Sequence, residues 1–419
     1  MRVLFKHESL VLIFAGLIHA GTSMTLSEAL KAALNGNASL QEQQWEVVQS
    51  EADRVTAGLR PNPQLQLTGD VFDFNGGPLV QPEKKDYGVS LQLPVEFPGK
   101  RGGRVAVAQG NLRAEKSGYQ ETVQQTLLAV GNAWLDALQA RLSLSSTLKA
   151  KGILDSIVSI NEIRLRDRII APLELMRSRI LADQYETSRQ EAELQVARTS
   201  QTLGLLLGNS EAVDAEEQDT SSFHPPSEDS CVTLALARRG AWLQAGDALT
   251  AARANEDLQR HLGLPDFNFS LDYSKQQGVP FYGVSVGIPL PLLARNQGEA
   301  AKAHAAAQEA SINRDFLRLQ LESEVRTLHR EFSERRAGLE ALKNVLDSAE
   351  KVRSMVEYSY RKGTSPIFDL LDAQRTWFDT QQSYYDAWVD FRRTGLQLAA
   401  ACGLLDGGTL AVRPDGKEG

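Results

Sequence analysis

The phrase YGVS occurs twice, in YGVSLQLPVEF (87–97) and in YGVSVGIPLPL (282–292), at an offset of 195 (282 − 87). The offset persists far beyond the phrase. Pro94 aligns with Pro289, Gly103 with Gly298, Glu174 with Asp369, Leu175 with Leu370, Leu203 with Leu398 and Gly208 with Gly403. A register held from residue 87 to residue 208 is an internal repeat, and it governs how every other segment is read.

Each copy opens with a helical pattern that breaks early, at Asn35-Gly36-Asn37 in the first and near Gly240 in the second. It resumes toward Pro61 or Pro265 through segments rich in Ala, Gln and Glu, which are good helix formers. Two extended segments follow: NPQLQLTGDV with DYGVSLQLPVEF in copy one, DFNFSLDY with FYGVSVGIPLPL in copy two. Their polarity alternates with period two. Tyr87, Val89, Leu91, Leu93 and Val95 point one way, while Gly88, Ser90, Gln92 and Pro94 point the other. Copy two repeats the pattern, with Tyr282, Val284, Val286, Ile288 and Leu290 opposed to Gly283, Ser285, Gly287 and Pro289. A half-buried sheet alternates in the same manner, but strands of about ten residues with aromatic ends are what an outer-membrane barrel requires.

No proline occurs between Pro98 and Pro172 or between Pro291 and Pro366. Each run is therefore long enough for a helix of about 100 Å. In copy two, Leu321, Val325, Leu328, Phe332, Leu339, Leu342, Leu346, Ala349, Val352 and Val356 keep the spacing of a coiled-coil seam. Each run turns near Arg168 or Gly363 into a helix that returns to Gly208 or Gly403. The predicted organisation is a signal peptide at 1–20, repeat one at 21–208, an acidic linker at 209–230, repeat two at 231–403 and a mobile tail at 404–419. The fold class is mainly α with membrane β. Four strands per chain cannot close a barrel, because about eight are needed, so strands that span a membrane imply several chains sharing one barrel.

Composition narrows the setting. Arg2 and Lys6 precede the apolar run LVLIFAGLI, and Ala20-Gly21 offers small residues for cleavage, the pattern of an export signal. No later stretch supplies about 20 consecutive apolar residues for a transmembrane helix. Hydrophobic residues make up 42% of the chain, enough for a large core. A net charge of −8 without a basic run argues against a nucleic-acid partner.

Motifs of catalysis and metal binding are weak. GVSVG (283–287) fits G-x-S-x-G, but Ile288-Pro289-Leu290-Pro291 keeps the chain extended where a nucleophile elbow needs a sharp turn into a helix. PGKR (98–101) lacks the Ser or Thr and the glycines of a phosphate loop. His304 and His329 read as helix-surface groups, and neither a metal site nor a cofactor is expected. The chain is not read as an enzyme. Lys100, Arg101 and Arg104 follow a strand end directly, and are read as anchors at lipid headgroups. Cys231 and Cys402 are read as two unpaired buried thiols, although an oxidising compartment permits a disulfide. Ser365 suits a helix N-cap, Pro366 the first helical position and Asp369 the positive end of the helix dipole.

LSEALKAAL near the start, the doubled YGVS-x-x-x-P strand and YRKGTSPIFDLLDAQRTWF (360–378) resemble the TolC-like outer-membrane efflux proteins across residues 26–403. LRPNPQL (59–65) with VEFPGKRGGR (95–104) is most similar to the outer-membrane component of cobalt-zinc-cadmium type resistance pumps. The resemblance implies a homotrimer in the outer membrane. Twelve strands would form one barrel, continued by twelve helices across the periplasm to an adaptor and an inner-membrane pump, expected to be of RND type. It further implies that Gly363 belongs to a turn that meets the adaptor, with Arg168 standing where the family carries glycine. Asp369 and Asp372 match acidic positions at the periplasmic entrance, where six carboxylates would repel one another and attract cations. Tyr360 and Glu174 match positions that hold the helices closed, and Ser365 stands where some members carry Arg. A periplasmic coiled-coil adaptor or scaffold would account for the long helices and the export signal but not for the paired strands. A multidrug or type I secretion channel of the outer membrane is the third reading.

Overall fold

A computed structural model describes residues 23–69, 86–217, 223–276 and 278–405. The signal-peptide segment and the tail from 406 onward lie outside the described residues. The element order repeats. Copy one holds β1 (Ser23–Met24), α1 (Leu26–Gly36), α2 (Ala38–Ala57), β2 (Gln64–Gly69), β3 (Tyr87–Val95), α3 (Lys100–Arg166) and α4 (Pro172–Leu206). After β4 (Asp214–Ala215), copy two gives α5 (Glu228–Arg238), α6 (Gly240–Leu262), β5 (Phe267–Gln276), β6 (Val279–Gly287), α7 (Gln297–Arg361) and α8 (Ile367–Ala401). The long helices α3 and α7 have 67 and 65 residues, and the returning helices α4 and α8 have 35 each.

The two copies are not related by one offset throughout. The shift is 202 at the first two helices, since Ala38 opens α2 where Gly240 opens α6 (240 − 38), and 204 in the outgoing strands, where Leu65 pairs with Leu91 as Phe269 pairs with Val286; after the hairpins it drops to 195. The difference is taken up between the hairpin strands, where β2 and β3 are separated by residues 70–86 and β5 and β6 by residues 277–278. The breaks between the first two helices occur where the sequence places them. Asn37 caps α2. Its Oδ1 accepts from Ser39 N at 3.0 Å and from Leu40 N at 3.3 Å. At the second break, Gly240 lets α6 lie against α3, because a Cβ there would come within 2.4 Å of Glu121 N, and only glycine lacks that atom. Arg239 beside it donates to Glu121 at 2.9 Å. Within the segment expected to be a plain linker, β4 pairs in parallel with β1, and α5 starts at Glu228.

The chain divides into two compact units. One comprises the described parts of 1–32, 130–220 and 341–389; the other those of 33–129, 221–340 and 390–419. The first has a core of Ala150, Leu154 and Ile157 from α3, Ala182 and Tyr185 from α4, Tyr360 from α7, and Ile367 and Leu370 from α8. Tyr185 meets Phe378 edge-on at 4.9 Å between centroids, a favoured aromatic geometry. The second unit buries Cys231, Ala235, Val325, Phe332, Leu398, Ala401 and Cys402 together, and carries the four strands β2, β3, β5 and β6. The seam expected along α7 is unevenly covered. Leu321, Val325 and Phe332 are buried, whereas Val352 remains 54% exposed. Among the described residues, no helix is long and apolar enough to cross a membrane.

Candidate functional site

The strands assemble as one antiparallel sheet in the order β2-β3-β5-β6. Register fixes its faces. Leu67 lies opposite Val89, Val89 opposite Tyr273, and Tyr273 opposite Tyr282. One level along, Leu65, Leu91, Leu271 and Val284 align in the same way. These residues share one face of the pleat. That face is bare: Tyr282 is 83% exposed and Val284 77%. Tyr87, Tyr273 and Tyr282 form a row across three strands, with centroids 6.3 and 5.3 Å apart. Such a row is how barrels mark the membrane–water boundary.

The opposite face is polar and internally bonded. Gln92 donates to Gln66 at 3.3 Å, Ser270 donates to Asp272 at 2.7 Å, and the hydroxyls of Ser270 and Ser285 lie 2.7 Å apart. Ser285 therefore stands inside a strand, against a serine, and not on a strand-to-helix turn. Among the described residues, strands β2 and β6 each have a neighbour on one side only.

The basic cluster at the end of β3 differs from the expectation. Lys100 is buried, with its Nζ 2.8 Å from Asp266. Arg104 forks onto Glu96, with Nη2 3.0 Å from Oε2, and donates to Leu59 O at 3.1 Å. Arg101 Nε donates to Gly58 O at 2.6 Å. Lys100 is thus not a headgroup anchor; with Arg104 it ties the start of α3 to the neighbouring chain segments at the base of the sheet. Burial explains the correction, because an ammonium removed from water needs an in-chain carboxylate. Arg101 alone of the three keeps an exposed side chain. Asp266 and Glu96, which the sequence reading passed over, are the partners.

The turns that end α3 and α7 are built alike. Gly363 has φ +79° and its N–H bonds Tyr360 O at 2.9 Å, while Thr364 N–H bonds Ser359 O at 3.0 Å. Arg168 has φ +57° with the same pair of bonds, Arg168 N–H to Leu165 O at 3.0 Å and Ile169 N–H to Arg164 O at 2.7 Å. Both are Schellman closures. The conformation is kept where the glycine is not. Pro366 precedes Ile367, the first residue of α8, and the Ser365 hydroxyl donates to Asp369 Oδ2 at 3.0 Å rather than capping the helix through an N–H. In copy one the proline itself, Pro172, opens the helix.

Tyr360 is buried, and its hydroxyl donates to Asn161 Oδ1 on α3. Asn161 Nδ2 donates onward to Ser178 Oγ at 3.3 Å, and Ser178 donates to Leu175 O at 2.9 Å. Arg164 stacks over the Tyr360 ring at 4.7 Å and donates to Tyr360 O at 3.4 Å, a cation held against the ring face. Burial pushes the Tyr360 phenol up, opposed by the Arg164 charge. This chain of bonds joins α7, α3 and α4. The sequence reading named Tyr360 but missed Asn161, Ser178 and Arg164. A signal was available, since Asn161 interrupts the apolar spacing of α3 at a position where copy two has Val356.

Glu174 is half-buried close to this lock, and Asp369 and Asp372 are exposed one turn apart on α8. The copies differ in charge here. Asp369 corresponds to Glu174, but Asp372 corresponds to Arg177 (372 − 195). Arg177, Phe368, Leu371, Asp372 and Arg375 line one shallow groove between α4 and α8. Among the described residues, no group of three or more His, Cys, Asp or Glu could hold a metal ion.

Residues 29–209 and 231–404 match the profile of the Outer membrane efflux protein family, one match to each copy of the repeat. The cobalt-zinc-cadmium resistance protein CzcC of Cupriavidus metallidurans is 26% identical over 393 residues, covering 87% of this chain and 86% of its own. The probable outer membrane lipoprotein SilC of Salmonella typhimurium is 21% identical, over 90% of this chain and 85% of its own. A crystal structure of CusC, from work on its folding and transmembrane channel formation, superposes with a TM-score of 0.78 at 18% identity, covering 93% of this chain and 96% of that one. Sheet, long helices, doubled turns and the paired family matches agree, and the chain belongs to the outer membrane efflux protein family.

Proposed function

We propose that this outer-membrane efflux channel is the exit duct of a tripartite pump, closed by three copies of the chain and passing metal cations handed on by a periplasmic adaptor and an inner-membrane pump. The observation that carries the reading is the sheet with two open edges and a bare apolar face. In hydrocarbon every backbone N–H and C=O must be bonded, so β2 and β6 need partners, and the repeat says which.

Copy one's returning strand pairs with copy two's outgoing strand inside the chain, Val95 opposite Phe267. One level along, Leu93 lies opposite Phe269; moving each strand to its counterpart, Leu93 becomes Ile288 (93 + 195) and Phe269 becomes Leu65 (269 − 204), because Leu65 pairs with Leu91 as Phe269 pairs with Val286. Ile288 of one copy then lies opposite Leu65 of the next. This explains why β6 stops at Gly287 although β3 runs to Val95, the counterpart of Leu290. The stretch from Ile288 to Leu290 lacks the strand that would pair with it. Three copies joined in this manner give twelve strands with two interfaces of one kind, one within each chain and one between chains. The metal cargo is supported by the name of CzcC, a cobalt-zinc-cadmium resistance protein, and by acidic Asp369 and Asp372 at the tip.

Paired cysteines test the register. Under oxidation, Leu65→Cys with Ile288→Cys should convert the membrane-inserted protein to a covalent trimer, while either single variant stays monomeric in denaturing gels. Monomer alone from the double variant overturns the assembly. The gate is tested separately. Asp369→Asn with Asp372→Asn should leave trimers intact and weaken cation selectivity and block by multivalent cations in single-channel recordings. Unchanged block removes the gate assignment.

A further inference from the structure

The chain has two cysteines, Cys231 and Cys402. Far apart in sequence, they are brought by the fold into one buried cluster with Ala235, Val325, Leu398 and Ala401. Cys231 stands in the first turns of α5 and Cys402 directly after the end of α8. The structure holds both as free thiols, wholly excluded from solvent. Cys231 Sγ donates to Pro226 O at 3.6 Å, and the two thiols are close enough for each to shift the titration of the other.

Packing alone does not require sulfur here. The counterparts in copy one are Ala29 (231 − 202) and Leu207 (402 − 195), and both are buried hydrocarbon. The corresponding buried positions are thus filled in one copy by ordinary apolar side chains and in the other by two thiols of one cluster. An outer-membrane protein reaches its place through a compartment where disulfides form and persist.

We infer that Cys231 and Cys402 become joined by a disulfide in the exported protein, clamping the first helix of copy two to its last. The inference rests on the outer-membrane location of the chain, and not on its cargo or partners. The co-reactant is a dithiol–disulfide oxidant of the exporting compartment. The Cys231 thiolate attacks one sulfur of the oxidant's disulfide, forming a mixed disulfide and releasing one oxidant thiolate. Cys402 then attacks Cys231 Sγ, the Sγ–Sγ bond forms, and the second oxidant thiolate leaves. The chain has lost two electrons and two protons, and the oxidant has become a dithiol. Since both sulfurs are shielded in the folded chain, the exchange takes place before the end of α8 settles against α5.

The test is mass spectrometry of the full chain recovered from outer membranes, with free thiols blocked by N-ethylmaleimide during lysis and digestion carried out without reductant. The expected result is a linked peptide pair containing Cys231 and Cys402, two hydrogens lighter than the reduced peptides together. Recovery of both cysteines as maleimide adducts after denaturation overturns the inference. A second measurement uses Cys231→Ala with Cys402→Leu, the residues that fill the same positions in copy one. Reductant should lower the melting temperature of the wild-type protein and leave that variant unmoved; a reductant effect on neither also overturns it. Protein absent from the outer-membrane fraction would instead overturn the location on which the inference rests.

Discussion

The turn at Arg168 and the turn at Gly363 have the same backbone and different chemistry. Each ends a helix of more than sixty residues with the same pair of hydrogen bonds and one residue at positive φ. At Gly363 the conformation is free of Cβ strain, and nothing within 4 Å would obstruct a side chain. At Arg168 a side chain is carried into the left-handed region, at a cost of about 1 kcal/mol. One turn earlier the difference runs the other way. Copy two has Tyr360 locked onto Asn161, while copy one has Leu165, half-buried and apolar. A shared backbone therefore does not mean a shared task. Copy two has an unstrained turn behind a polar lock; copy one has a strained turn on an exposed rim that includes Ile169, Leu173 and Met176.

The largest break in this comparison is expected from Tyr360→Ala. It removes a buried aromatic ring and leaves the Asn161 amide without its phenol partner, at a cost of about 3 kcal/mol or more. Leu165→Ala, its counterpart, should cost about 1 kcal/mol. Thermal unfolding of the detergent-solubilised protein would compare the two, and equal losses would mean that the lock adds nothing to the closure of copy two.

Alkaline pH probes the other side. Tyr185 on α4 is buried, with its phenol pushed up to about 12 by burial and then by Asp379, whereas its counterpart on α8 is Thr380. A raised phenol pKa means that the folded chain holds its proton where the unfolded chain has begun to lose it. Stability is therefore full below pH about 10 and falls as pH rises toward 12, by on the order of 2 kcal/mol. Tyr185→Phe should remove that part of the alkaline loss. A wild-type titration that matches the variant's through this range would show that Tyr185 is not the group responsible.

The smallest effect is the exchange of the turn residues themselves. Arg168→Gly should relieve strain, partly offset by the greater freedom of glycine in the unfolded chain, leaving a gain of about 0.5 kcal/mol. Gly363→Arg should lose about 1 kcal/mol. Hydrogen exchange at Ile169 and Thr364, the amides that close the two turns, would register both locally. If Arg168→Gly loosens its turn, the guanidinium contributes more than its backbone costs.

Much of this was legible in the sequence because repetition states local geometry twice. The hairpins, the long helices and the location of both turns follow from alternation, absence of proline and the offset between copies. The charge partners did not. Lys100 reads as a headgroup anchor because nothing local predicts Asp266, which belongs to the other copy and meets it beside the sheet. The same holds for Asn161, whose partner Tyr360 also lies across the repeat. A one-dimensional pattern fixes which face of an element is apolar, but not which polar group across the fold will neutralise the exception.

The two open edges of the sheet also bear on how the protein is made. A lone chain presents unpaired backbone on both margins of a strongly apolar surface, so it is a poor resident of water and an incomplete resident of lipid. If further copies close these edges, as proposed, productive insertion waits for an encounter among copies, and its rate rises steeply with the local supply of chains. A copy able to offer β6 but with β2 blocked by proline would occupy a place in the ring without closing it. Such a chain would disable wild-type neighbours along with itself, so that scarcity and contamination of the subunit pool harm assembly in different ways.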